Sequence, residues 1–125
     1  MRRIASYALA ATVFILPAAA DGDVEKGKAS FAKCAACHEI GTGAANKIGP
    51  ELNGLVGRKP ASIEGFSYSA AMTAFGEANP VWTEELLMTY LENPLKVVKG
   101  TKMAFAGIKK PEERANVIAY LKSNP

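Results

Sequence analysis

Apolar residues follow two regimes along the chain. Residues 4–16, "IASYALAATVFIL", are almost continuously apolar and follow Arg2 and Arg3. Pro17 and then Ala18-Ala19-Ala20 close the run, which is the layout of an export signal with a small-residue cleavage site. An uncleaved anchor is the alternative, but the run is too short to cross a bilayer comfortably. The expectation is a leader over residues 1–20, removed on export, and one domain over residues 21–125, a length that suits a single domain.

Beyond Asp21 the apolar positions recur at helical spacing. The first helix is expected from about Val24 towards Cys34, with Asp23 as N-cap. Val24, Gly27, Phe31 and Cys34 or Ala35 share one face. Gly27 is costly inside a helix, so it either admits a second helix closely or is merely tolerated. A second helix starts after Thr83, with Glu84 and Glu85 at its positive end, and stops at Asn93-Pro94. Leu86, Leu87, Tyr90 and Leu91 form its apolar side. A third starts near Pro111, with Arg114, Val117, Ile118 and Leu121 on one side. A shorter helix, "AAMTAF", follows Ser69. Two long loops remain, "GTGAANKIGPELNGLVGRKPASIEG" and "PLKVVKGTKMAFAGIKK", and loops of that length are usually functional. No alternating run of β-branched residues reads as a strand. The expected class is all-α.

Composition changes this picture in two ways. The formal charge is +3 for 125 residues, and losing Arg2 and Arg3 with the leader lowers it to +1. No dense basic run interleaved with aromatics points to nucleic acid, so any electrostatic role must come from an uneven distribution of charge. A domain this small buries only about 60–70% of its unfolded surface, and a bound apolar group would help it build a core.

The only histidine directly follows the second of the two cysteines, in Cys34-Ala35-Ala36-Cys37-His38. This is the C-x-x-C-H pattern of covalent haem attachment. Each thiol adds across one vinyl group, and the next residue, His38, becomes an axial iron ligand. Three rivals are weaker. A thioredoxin-like pair should open a helix after a strand, and this pair ends a helix. A zinc site needs about four ligands. A C-x-x-C disulfide closes a tiny loop and stabilises little.

The sixth ligand cannot be a second histidine. Methionine, lysine, water or nothing remain, and the methionines are Met72, Met88 and Met103. Met88 lies in a helix and Met72 in the short one. Met103 leads, because its loop can fold over the far haem face and thioether sulfur is a known haem ligand.

The blocks "GDVEKGKASFAKCAACH", "GPELNGLVGRK", "GFSYSAAM", "VWTEELLMTYLENP", "GTKMAFAGIKK" and "ERANVIAYLK" cover nearly all of residues 22–122. In that order they closely resemble class I c-type cytochromes, as in mitochondrial cytochrome c and its soluble bacterial periplasmic relatives. The resemblance implies a small cytochrome c fold of helices and long loops around one covalently attached haem c, with iron held by His38 and Met103. The first and last helices would cross through Gly27, Phe31, Val117 and Tyr120. Pro50 would accept from the His38 ring. Arg58, Tyr68 and Trp82 would surround the propionates, with Thr101 as a further donor. Tyr90 would lie beside the Met103 sulfur and Phe105 at the haem edge. The chain departs from its mitochondrial relatives at Met72, where asparagine is common, at Ala29, Leu95 and Lys99, and by extra residues around "TAFGEANPV".

The implied activity is one-electron transfer in the bacterial periplasm, without substrate chemistry, by a monomer. The donor would be a quinol–cytochrome c reductase or periplasmic dehydrogenase. The acceptor would be a terminal oxidase, reductase or photosynthetic reaction centre. Lys33, Lys47, Lys96, Lys102, Lys109 and Lys110, with Lys99, would ring the exposed haem edge and steer an acidic partner. The rival is an enzyme that activates peroxide or a small gas at an open sixth position.

Overall fold

The computed structural model describes residues 5, 6, 8–11 and 22–125. The expected leader's charged start, Pro17 and its cleavage site at Ala18–Ala20 lie outside them. Among the described residues the regular structure is helical, without a strand. α1 spans Val24–Ser30, and a 3-10 turn, Phe31–Lys33, continues it. α2 is Ala70–Ala78, α3 Glu84–Glu92, α4 Pro94–Val97 and α5 Pro111–Lys122.

The helix starts obey local chemistry. Asp23, Ser69 and Thr83 each cap a helix by accepting from the N–H three residues on, which satisfies a donor the helix cannot. α5 begins instead with Pro111, and Glu112 and Glu113 sit in its first turn. Three boundaries differ from expectation. α1 does not run regularly to Cys34. Its last turn tightens at Phe31–Lys33, a common way to satisfy terminal carbonyls. α2 runs on to Ala78, because Gly76 packs buried within it and Asn79 closes it by donating to the Phe75 carbonyl. α4 was hidden in a loop. Asn93-Pro94 stops α3 and also starts α4, with Asn93 as cap and Pro94 in the first turn.

α1 and α5 cross tightly. A Cβ on Gly27 would lie 1.9 Å from the Asn116 carbonyl oxygen and 2.9 Å from Tyr120 Cβ. Gly27 therefore admits the second helix and is not merely tolerated. The Phe31 and Tyr120 rings meet 5.3 Å apart beside it, and Asn116 accepts from the Asp23 N–H at 2.8 Å. Val117, Ile118 and Leu121 turn their α5 face inward, where α3 supplies Leu87, Tyr90 and Leu91. Leu52 and Leu55, from the first long loop, join the same core.

Candidate functional site

A cavity of about 620 Å³ opens between the loops and the core. Leu52, Leu55, Leu87, Leu91 and Val117 give it apolar walls. All eleven residues expected at a cofactor line it: Cys34, Cys37, His38, Pro50, Arg58, Tyr68, Trp82, Tyr90, Thr101, Met103 and Phe105. A second, open groove of about 430 Å³ between α2 and α3 holds none of them.

The cysteines and histidine sit on the turn that follows α1. The Cys37 and His38 N–H groups both donate to the Cys34 carbonyl, at 3.0 and 2.9 Å, so one tight turn carries all three side chains. Both thiols are free and half-buried. Burial pushes the Cys34 thiol up, against the pull of Lys33, and Cys37 adds to the rise. A reactive thiol calls for the opposite shift.

His38 Nδ1 donates to the Pro50 carbonyl at 2.7 Å. A carbonyl can only accept, so the proton sits on Nδ1 and Nε2 keeps its lone pair for a metal. Burial is the main force lowering the His38 pKa. The Pro50 bond opposes it, and Arg58 and Lys47 push it down further. The ring is thereby neutral, as a ligand must be. Gly49 makes the approach possible: a Cβ there would lie 2.3 Å from His38 Cε1. The sequence reading missed Gly49, although it stands next to Pro50 in "IGP". We expect Gly49→Ala to push the ring off Pro50 and destabilise the holoprotein by about 1–3 kcal/mol. Thermal melting with the midpoint potential checks this. An unchanged melt and potential would show that the ring is not confined there.

Met103 is seated by two bonds. Its N–H donates to Thr101 Oγ1 at 3.1 Å, and the Tyr90 hydroxyl donates to its sulfur at 3.2 Å. Tyr90 is only 5% exposed, and burial pushes its pKa up to about 12. The phenol stays protonated, and a donor, at ordinary pH. Met72 also lines the cavity, whereas Met88 packs at the edge of the core. Trp82 packs at a tilt against Tyr90, with centroids 4.9 Å apart, and against Phe75 at 5.5 Å.

Arg58 is committed largely to protein. Its guanidinium meets the Glu51 carboxylate at 3.3 Å and the carbonyls of Glu51 and Asn53 at 3.0 and 2.9 Å. Burial lowers its pKa, and Glu51 and then Tyr68 oppose the shift. Glu51 and Asn53 escaped the sequence reading because only the folded loop brings them to Arg58. The Tyr68 hydroxyl accepts from the Ile63 N–H at 3.1 Å, which leaves its own proton free to donate. This donor set suits an apolar ring carrying acidic side groups. The residues present fit a haem: two thiols, a neutral imidazole, a thioether, apolar walls and cationic or hydroxyl donors.

The lysines divide. Lys33, Lys47 and Lys102 reach the cavity, and Lys96, Lys109 and Lys110 do not line it. Lys33 pairs with Glu113, and that bond is the first cause of the Glu113 carboxyl lying below its usual range. Lys47 donates to the Ala35 carbonyl at 3.0 Å. Lys109 donates to the carbonyls of Glu92 and Ala106.

Residues 24–125 match the family model described as Cytochrome c. The chain is 52% identical over 101 residues to cytochrome c2 of Agrobacterium tumefaciens (strain II Chrys), covering 81% of this chain and 91% of that protein. It is 54% identical over 100 residues to cytochrome c-550 of Nitrobacter winogradskyi, covering 80% and 89%. Its fold superposes on cytochrome c2 from Rhodospirillum centenum with a TM-score of 0.78 and 38% identity, over 82% of this chain and 98% of that one.

Proposed function

The chain belongs to the cytochrome c family, and on that premise we propose that His38 and Met103 ligate the iron of its single covalently attached haem c, with Cys34 and Cys37 as the thioether anchors. The protein is an electron carrier. When bound, the haem supplies an iron that gains or loses one electron between its ferric and ferrous states. The residues of this chain supply the rest. Pro50 keeps His38 in one tautomer with Nε2 basic. Tyr90 holds the Met103 sulfur, and Thr101 holds its backbone. Trp82, Tyr90 and the leucines of α3 exclude water from the apolar walls. Tyr68 and Trp82 would supply hydroxyl and indole donors to the acidic groups, and Arg58, held by Glu51 and Asn53, would add its positive charge.

One observation carries this reading. His38 and Met103 line the same cavity, and each is oriented by its own hydrogen bond, to Pro50 and from Tyr90. With both as ligands no coordination position would be left open, which argues against the peroxide- or gas-activating enzyme and for a carrier without substrate chemistry. We place this carrier in the bacterial periplasm, with residues 1–20 removed. Its donor would be a quinol–cytochrome c reductase or periplasmic dehydrogenase, and its acceptor a terminal oxidase, reductase or photosynthetic reaction centre. Among the described residues no helix is long and apolar enough to cross a membrane.

The test uses the holoprotein purified from cells. Its ferric form should show the weak sulfur-to-iron charge-transfer band, and its ferrous form should bind carbon monoxide slowly. Electron transfer to a membrane oxidase should slow as salt rises, because the Debye length is about 8 Å at physiological ionic strength. Lys102→Glu should slow the low-salt rate severalfold and flatten its salt dependence. Rapid carbon monoxide binding with turnover of peroxide would establish the enzyme instead. A rate indifferent to salt and to Lys102→Glu would remove the steering role.

A further inference from the structure

The segment that carries Thr101, Met103 and Phe105 is fastened differently at its two ends. At the front, Met103 rests on the Thr101 hydroxyl and under the Tyr90 phenol. At the base, the Ile108 N–H donates to the Leu91 carbonyl at 2.7 Å. The Lys109 ammonium donates to the Glu92 carbonyl at 2.8 Å and to the Ala106 carbonyl at 3.1 Å. Leu91 and Glu92 are the last residues of α3, and the last turn of α3 has no basic residue of its own. A helix end presents carbonyls without intrahelical partners and a negative pole. Lys109 supplies the missing cation from 17 residues downstream.

The same residues are gripped from the other side. Arg114, 7% exposed on α5, donates one guanidinium nitrogen to the carbonyls of Ile108 and Lys109 at 2.8 and 3.1 Å. Residues 108 and 109 are thus bonded to α3 in one direction and to α5 in the other. Lys109 is exposed, yet two of the three donors of its ammonium go to these carbonyls.

We propose that Lys109, backed by Arg114, is a positioning residue that clamps the base of the Met103 loop onto the end of α3 and so keeps Met103 under Tyr90 and slow to yield its place to another ligand. This rests on Met103 being the distal ligand. Lys109→Met keeps the aliphatic stem and removes the donor. In ferric holoprotein this variant should take up cyanide about tenfold faster than wild type, the scale of one lost charge-assisted bond. Its sulfur-to-iron band should fade at a lower temperature, while helical circular dichroism melts as in wild type. Lys110→Met removes the same charge one residue on and should match wild type in both readings. Cyanide uptake by Lys109→Met at the wild-type rate overturns the clamp. So does a band that fades only together with the helices, or an equal acceleration in Lys110→Met. A wild type lacking the band altogether defeats the Met103 assignment itself, and the clamp with it, before any variant is compared.

Discussion

Met103→His is expected to lower the midpoint potential by a few tenths of a volt, given the roughly 0.8 V over which axial ligands move haem potentials. A thioether is a weak, soft donor and favours the electron-rich ferrous state. An imidazole donates more strongly and favours the ferric state. The protein adds to this difference at Met103, because the buried Tyr90 hydroxyl donates to the sulfur at 3.2 Å. That bond persists at ordinary pH, since burial pushes the phenol's pKa up to about 12. Met103→Ala should remove the ligand and admit cyanide to the ferric form and carbon monoxide to the ferrous form. Protein-film voltammetry and the charge-transfer band measure both effects. Met72 is the informative control, because it lines the same cavity. If the band survives in Met103→Ala and disappears in Met72→Ala, the ligand is Met72.

Cys34→Ser and Cys37→Ser, expressed with the export signal, should each lower the yield of folded holoprotein by about tenfold or more. The reason lies in the walls around the cysteines. Leu52, Leu55, Leu87, Leu91 and Val117 belong at once to the core and to the lining of a cavity of about 620 Å³. At about 24 cal/mol per Å³ of cavity, leaving such a space unfilled would cost on the order of 15 kcal/mol. That reaches the upper end of the whole stability of a typical domain, about 5–15 kcal/mol. Water entering the cavity would lower the cost but would wet leucine side chains in exchange. The thioethers keep the filling group in place, so losing one should expose the core to unfolding and proteolysis. Haem content per mole of recovered protein and the thermal midpoint measure this. Wild-type values of both in Cys34→Ser would show that the fold does not depend on the attachment.

Much of this protein is legible in short stretches of its sequence, for a physical reason. A cap needs only a side-chain oxygen and an N–H three residues on, so Asp23, Ser69 and Thr83 mark helix starts from local chemistry alone. The attachment motif is likewise local, because one turn of chain presents Cys34, Cys37 and His38. The buried face of α5 follows from helical spacing, and Arg114, Val117, Ile118 and Leu121 are all buried.

Only the tertiary structure decided which distant groups meet. Spacing could not separate Met72 from Met88, yet the fold turns one into the cavity and packs the other at the edge of the core. Gly27 could have been a tolerated glycine until the α5 backbone lay against it. Gly49 mattered only once the His38 ring lay over it. Lys109 looked like one surface charge in a ring. Its ammonium also closes the end of α3, because helix-terminal carbonyls must find partners and this cation arrives from a different segment. A sequence determines what each residue can do with its neighbours in the chain. Which carbonyl a lysine reaches, or which sulfur a phenol meets, depends on how the helices pack, and that is set by all the buried contacts together.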